Sequence, residues 1–417
     1  MNPFNVNTKD IKEYFIKMDA MYPKAYDKTT TGPYTKCRVI LMNGTEYESV
    51  WFMHQFARHC DNDEILEALA IIRQQEQQQQ KRIACLKPID ESILETTIAY
   101  EQLAVDLTAC LAKYETDENN KKALNFALLE DFDHLYRFAN LLKLDKGIDA
   151  KTLVGAFTEI TPGRPTIAEH RFPTQNLRAN MDANSAKLYS KLVAGIITAA
   201  EQQTMNYYMN ISQWYKNDLG RKLYSEIALV EEEHVSQYES LKDPHCSWLE
   251  QWVMHEYTEC YLYYSAMKSE KDKNIARIWE EHFNMECAHL KIASGLLEKY
   301  EHKTYKDVCG TGEFPELLEL GTNKDYVRDV LAHTVTNTSL NKQYLDICNL
   351  PPNSTFERYQ TTTINEQTTP SHQVIQKAIT EFGNDYRYED SPNPISELQD
   401  RKKDNTTVGR VCTKKST

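Results

Sequence analysis

Six side chains in the second half of the chain recur on a schedule suited to metal binding: Glu201, Glu231, His234, Glu256, Glu286 and His289. The steps from Glu201 to Glu231 and from Glu256 to Glu286 are both 30 residues, and each ends on a Glu followed three positions later by a His. Glu and His at that spacing share one helix face. Thirty residues with a turn midway bring two carboxylates to one height on neighbouring antiparallel helices, since each arm rises about 20 Å at roughly 1.5 Å per residue. A bundle that aims one Glu from each of two helices and a Glu-x-x-His pair from each of the other two at one level has built a di-metal carboxylate site. Four carboxylates and two imidazoles suit two iron ions, and a manganese pair fits the same donors.

The alternative is a set of ordinary helix-surface pairs, because Glu-x-x-His is common on solvated faces. The neighbouring residues argue against it. Ile197, Glu201, Thr204, Tyr208 and Ile211 share one stripe, Ile227, Glu231 and His234 a second, Trp252, Glu256, Glu259 and Tyr263 a third, and Phe283, Glu286, Leu290 and Ala293 a fourth. Carboxylates buried on such faces without a metal or a partner cost several kcal/mol each or take up protons. The schedule also repeats. Subtracting 155 from the six positions gives Glu46, Glu76, Gln79, Glu101, Asp131 and His134, so four of the six are identical. The breaks shift equally, "LKPID" matching "LKDPH". An internal duplication of one four-helix unit accounts for both.

The elements that must hold these residues are helices. Apolar residues recur at three and four from Thr45 to about Leu142 and again from Asn184 to about Tyr300, with short Asp, Asn, Pro and Gly breaks between. The expected organisation is an N-terminal segment 1–44, a degenerate helical unit 45–145, a Pro-containing connector 146–183, a di-metal helical unit 184–302, and short helices with a polar tail over 303–417. The tail, rich in Thr, Asn and Gln, is expected to be largely disordered, with one short helix near "SHQVIQKAITEF". The fold class is all-α, two tandem four-helix bundles plus that tail. With 61 acidic against 48 basic residues, a net charge of −13 argues against nucleic-acid or anionic-membrane surfaces. No apolar run reaches the roughly 18 residues a membrane helix needs, and the N-terminus lacks a secretory pattern. Ten dispersed cysteines without Cys-x-x-Cys fit reduced thiols and a cytoplasmic location.

The segments "EQQTMNYY", "EEEHV", "EYTECY" and "ECAHL" resemble the four ligand helices of rubrerythrin-type members of the ferritin-like superfamily. The resemblance covers about Ala194 to Leu297 well, and Thr45 to Leu142 more weakly. It implies a first helix with Glu201 and Tyr208 and a third with Glu256, Thr258, Glu259 and Tyr261. It further implies that Glu259 is an extra ligand, one iron moving between His234 and Glu259 with oxidation state. The implied chemistry is reduction of hydrogen peroxide, or dioxygen, at a diferrous centre, with Tyr208 and Tyr261 donating hydrogen bonds beside it. An oxygenase acting on an organic substrate, or a non-catalytic metal-storage or scaffold protein, would use the same ligands.

Three features depart from that family. The chain has no Cys-x-x-Cys module, so its electron donor is unknown. Only 22 residues separate His234 from Glu256, too few for the usual crossover. That leaves an up-down-up-down bundle, hairpins joined across the halves by the long connector, or pairing between subunits of a homodimer. The first half has Gln79 for a His, Asp131 for a Glu and Ala104 at the Glu259 position, and is expected to bind metal weakly or act as scaffold. Elsewhere, His54, His59 and His170 lack ligand spacing, and Glu281 and His282 yield to Glu286 and His289. Gln75 and Gln77 to Gln80 read as a solvated face. Cys260 and Cys287, each beside a candidate ligand, could report oxidation but read as small buried hydrophobes.

Overall fold

The computed structural model describes residues 1–364 and 368–413. Helix dominates. In the first half α1 spans Pro33–Arg58, α2 Asp63–Ala84, α3 Ile93–Tyr114 and α4 Glu118–Lys146. Short turns of helix, α5 (Lys151–Val154) and α6 (Thr166–Glu169), interrupt the connector. The second half carries α7 (Leu188–Ile211), α8 (Asp218–Glu239), α9 (Trp248–Ser269) and α10 (Lys273–Glu301). Both bounds of α2, α3 and α4, moved by 155, fall on the bounds of α8, α9 and α10, and the start of α1 falls on that of α7.

The caps repeat with the helices. Asn62 and Asn217 start α2 and α8, each accepting from a backbone N–H three residues on. Ser92 and Ser247 both close capping boxes, with Glu95 and Glu250. Asp117 and Asp272 each accept from two backbone N–H groups at the starts of α4 and α10. Such caps satisfy donors that the first turn leaves unpaired. Even the left-handed ends correspond: Gly147 after α4 (φ 68°) and His302 after α10 (φ 56°). The same local rules, written twice, make the same four helices.

The chain divides into two compact units, and neither is one sequence half. Unit 1 contains 1–91, 180–203 and 242–319, and unit 2 contains 92–179, 204–241 and 320–417. This corrects the expected contiguous units 45–145 and 184–302. Within unit 1, hairpin α1–α2 packs on hairpin α9–α10 through α1 with α9 and α2 with α10. Within unit 2, α4 packs on α3 and on α8, and Tyr207 of α7 stacks on Tyr100 of α3 at 4.4 Å between ring centroids. The short α8–α9 link, 240–247, rules out a crossover bundle within the second half, and the long connector lets hairpins of the two halves pair instead.

The polar tail also departs from expectation, since its described residues fold. After α11 (Tyr305–Cys309) come α12 (Lys324–Thr334), a two-stranded hairpin of β1 (Asn337–Leu340) and β2 (Gln343–Asp346), α13 (Thr355–Tyr359) and α14 (Pro370–Phe382). Short helices over 303–417 were expected, the one near α14 by its residues; the hairpin was not. The strands pair antiparallel, Leu340 opposite Gln343, across Asn341 and Lys342 at φ 50° and 65°. The tail's sparse apolar residues are well used. Val327, Val330, Leu331, Val335, Leu398 and Val408 bury against Val105, Ala109, Leu128, Leu129 and Phe132 of α3 and α4. Cys348 and Cys412 form a disulfide, which corrects the expectation of ten reduced thiols and removes that argument for a cytoplasmic location. Their separation of 64 residues gave no hint of it. Among the described residues no helix is long and apolar enough to cross a membrane.

Candidate metal centres

Unit 1 gathers carboxylates from all four of its hairpin helices. Glu76, Glu256, Glu286 and His289 present ligand atoms within 4.8 Å of one another, and so do Glu46, Glu76 and Glu259. The two groups share Glu76. All six side chains are fully buried. The four expected residues Glu256, Glu259, Glu286 and His289 therefore meet, but they meet Glu46 and Glu76 of the half expected to be a scaffold. In unit 2, Asp131, Glu231 and His234 come together, and Glu101, His134 and Glu231 form a second group sharing Glu231. Glu101, Asp131 and His134 thus do not form a separate first-half copy but share a unit with Glu231 and His234. Glu201, also buried, lies on α7 within 180–203 of unit 1, before the helix enters unit 2.

The expected single site of six second-half residues is corrected by this division: Glu231 and His234 belong to one unit, Glu256, Glu286 and His289 to the other. The implied movement of an iron between His234 and Glu259 falls with it. Unit 1 places Glu259 instead where the imidazole is missing. Gln79 turns its amide nitrogen to Glu46 at 3.2 Å and to Glu286. An N–H donor is no ligand. Glu259 supplies oxygen donors to that group, one of them 3.4 Å from the Ser49 hydroxyl.

Each histidine is oriented by a partner on its far nitrogen. His289 Nε2 lies 2.9 Å from Gln75 Oε1, while Nδ1 faces Glu76 at 2.8 Å and Glu286 at 3.0 Å. His234 Nε2 meets Glu130 at 2.9 Å and its Nδ1 faces Glu231 at 3.1 Å and Asp131 at 3.3 Å. His134 Nε2 meets Glu169 at 2.9 Å and its Nδ1 faces Glu231 at 3.0 Å. An acceptor on Nε2 fixes the proton there and points the Nδ1 lone pair inward, the usual device for a metal-bound imidazole. Gln75 and Gln79, expected on a solvated face, are buried for these roles. Gln75, Glu130 and Glu169 were missed. Gln75 and Glu130 directly precede Glu76 and Asp131, which was their only signal.

Tyr208 donates to Glu101 at 2.5 Å, so its expected place beside a carboxylate is found. Tyr261 is a correction: it donates to the Glu316 carbonyl at 2.7 Å, away from the cluster. The tyrosine on the inward face is Tyr263, which donates to Glu46 and lies 3.1 Å from His282 Nδ1. Its signal was in the sequence, seven residues after Glu256 as Tyr208 is seven after Glu201. Glu281 instead pairs with Arg82 at 2.6 Å.

In unit 1 buried carboxylates crowd together, with the His289 imidazole among them. Burial, then the neighbouring Glu76 and Glu286 carboxylates, raise the pKa values of Glu46 and Glu259 well above the usual range, and burial with Glu76 does the same for Glu256. Burial alone would lower the pKa of His289, but Glu286 and Glu76 outweigh it and raise it well above normal. Glu46 Oε2, Glu76 Oε2, Glu256 Oε2 and Glu259 Oε1 accept no hydrogen bond. Buried, orphaned carboxylate oxygens beside an oriented imidazole fit a divalent cation. In unit 2 the two imidazoles supply part of that charge: burial would raise Glu231, yet His134 and His234 pull it down to about 2. Beyond the cluster, Arg164 and Arg171 hold Glu130 at 2.7 and 2.6 Å. No family model, no curated protein and no solved structure matches this chain.

Proposed function

We propose that this chain is a non-haem di-iron oxidoreductase of rubrerythrin type, within the ferritin-like superfamily, that reduces hydrogen peroxide or dioxygen. The observation that carries the reading is the shared carboxylate. In each unit two ligand groups overlap on one residue, Glu76 in unit 1 and Glu231 in unit 2, so each unit would offer donors for two neighbouring ions. Unit 2 offers Glu101, Asp131, His134, Glu231 and His234, and unit 1 offers Glu46, Glu76, Glu256, Glu259, Glu286 and His289. Glu201 stays a candidate ligand on its spacing.

Two ions alternating between ferrous and ferric states would supply the two electrons that cleave an O–O bond. The protein's part is to hold and shield them. Tyr208 and Tyr263 keep a proton on the oxygen next to Glu101 and Glu46, where a reduced oxygen can draw on it. Buried Ile227, Trp252, Phe283 and Leu290 line the ligand helices and exclude bulk water.

Loading the metal-free protein anaerobically with ferrous iron and adding hydrogen peroxide tests the proposal. About four irons per chain and oxidation of two irons per peroxide are expected. Iron uptake without peroxide consumption would leave a storage protein and end the enzymatic reading. An oxygenase is favoured by one feature, a cleft of about 230 Å³ in unit 1 whose lining includes Phe52, Met181 and Met254 with Thr45 and Thr258, neighbours in sequence of Glu46 and Glu259. Hydroxylated product from an added apolar substrate would select it.

A further inference from the structure

A di-iron reductase needs a source of electrons, the sequence shows no Cys-x-x-Cys, and unit 1 holds a pair of thiols beside its ligands. Cys260 follows Glu259 on α9 and Cys287 follows Glu286 on α10, and both are fully buried. Their sulfurs lie 4.0 Å apart. A disulfide needs about 2 Å between sulfurs, so the pair closes by a side-chain movement of roughly that size.

Packing alone does not call for cysteine here. The positions 155 residues earlier are Val105 and Phe132, which serve as core in the other repeat. The second repeat carries thiols at both positions and places them together.

We propose that Cys260 and Cys287 form a redox-active dithiol, the internal two-electron donor of the centre in unit 1. The inference rests on the peroxide-reducing reading above and deepens it by assigning the reductant. The net step is balanced. Two thiols and one hydrogen peroxide give one Cys260–Cys287 disulfide and two waters; the S–S bond forms, the O–O bond breaks, and the two thiol protons end on water. The thiols lose two electrons and the peroxide gains them. Burial keeps free peroxide and external disulfides from the sulfurs, so oxidation depends on the neighbouring centre. Return to the dithiol needs a dithiol reductant that gains access to the cystine through local opening of the unit.

The test reads sulfur rather than turnover. Protein loaded with about four ferrous irons per chain receives about three hydrogen peroxides per chain without air, enough to take one electron from each iron and one from each thiol, and is quenched with an alkylating agent, unfolded, digested and analysed by mass spectrometry. The expected result is a linked Cys260–Cys287 peptide pair and the loss of two alkylatable thiols, absent when metal-free protein is treated in the same way. Consumption of peroxide with both cysteines still alkylated would overturn the dithiol while leaving the peroxidase reading intact. No consumption of peroxide at all would sink both, and is told apart by that fact. The same linkage in metal-free protein would also overturn the proposal, because it would make the oxidation direct. A Cys260→Ser, Cys287→Ser variant should keep its iron content and its first oxidation, and lose the linked peptides together with the two-thiol change.

Discussion

Residues in these clusters act through what faces them. His134, His234 and His289 each show Nδ1 to carboxylates because Glu169, Glu130 and Gln75 hold Nε2. Replacing Glu231 and His234 together by Ala should therefore empty the centre in unit 2 and spare that in unit 1, taking away about half of the bound metal. The corresponding change of Glu286 and His289 should remove the other half; elemental analysis of both variants decides, and an unchanged load in either refutes the assignment. Tyr208→Phe should retain metal and slow peroxide consumption about 10- to 100-fold, the usual cost of losing a group that supports a ligand. Normal rates in stopped flow would assign Tyr208 to packing alone. Away from the clusters, Glu48 is held by His255 and Lys242. Burial alone would raise its pKa, but the positive charge of His255 and then Lys242 brings it down to about 2. A lowered carboxylate stabilises the fold above its ordinary value near 4.5, and that stability fades as pH falls toward 2. Glu48→Gln should cost on the order of 3 kcal/mol at neutral pH and less as the medium becomes acidic, measured by urea unfolding across pH.

Elements repeat more faithfully than the residues they carry. The caps Ser92 and Ser247 start α3 and α9 by the same box, so Ser92→Ala and Ser247→Ala should each cost about 1 kcal/mol of stability. Equal losses in denaturant unfolding would confirm the equivalence, and a loss at one position only would show that tertiary contacts have taken over the other cap. The repeat has diverged inside the helices instead. Gln79 stands where His234 does, and Val105 and Phe132 where Cys260 and Cys287 do. Because α2 shares a unit with α9, the oxygen donors of Glu259 lie in the group where the imidazole is lacking. Helix boundaries depend on a few local residues and survive such changes; ligand sets depend on four helices at once.

At the level of the whole molecule the tail is part of unit 2. Arg137 of α4 binds Asp133 at 2.9 Å and also Asp404, and the Cys348–Cys412 bridge closes a loop across 64 residues of sequence. A loop of that length restricts the unfolded chain by about 4 kcal/mol. Reduction should lower the melting temperature measured by circular dichroism, with unit 1 keeping its metal. No change in melting would assign the bridge a role outside folding.

The eight long helices, their caps, the 155-residue offset and the chemical type of the ligands were all set by short-range pattern. Local backbone hydrogen bonding and the 3.6-residue period are written within a few turns, so Glu256 and Glu259 could be placed on an inward face from the stripe that runs from Trp252 to Tyr263. Which hairpin meets which was not written there. Two nearly equivalent halves offer equally good apolar faces to themselves and to each other, and only chain geometry breaks the tie: a link too short between α8 and α9, and a connector from 147 to 187 long enough to bring the halves together. That choice put Glu231 and His234 in a different unit from Glu286 and His289, recruited Glu46, Glu76, Asp131 and His134, and turned Tyr263 rather than Tyr261 toward a carboxylate.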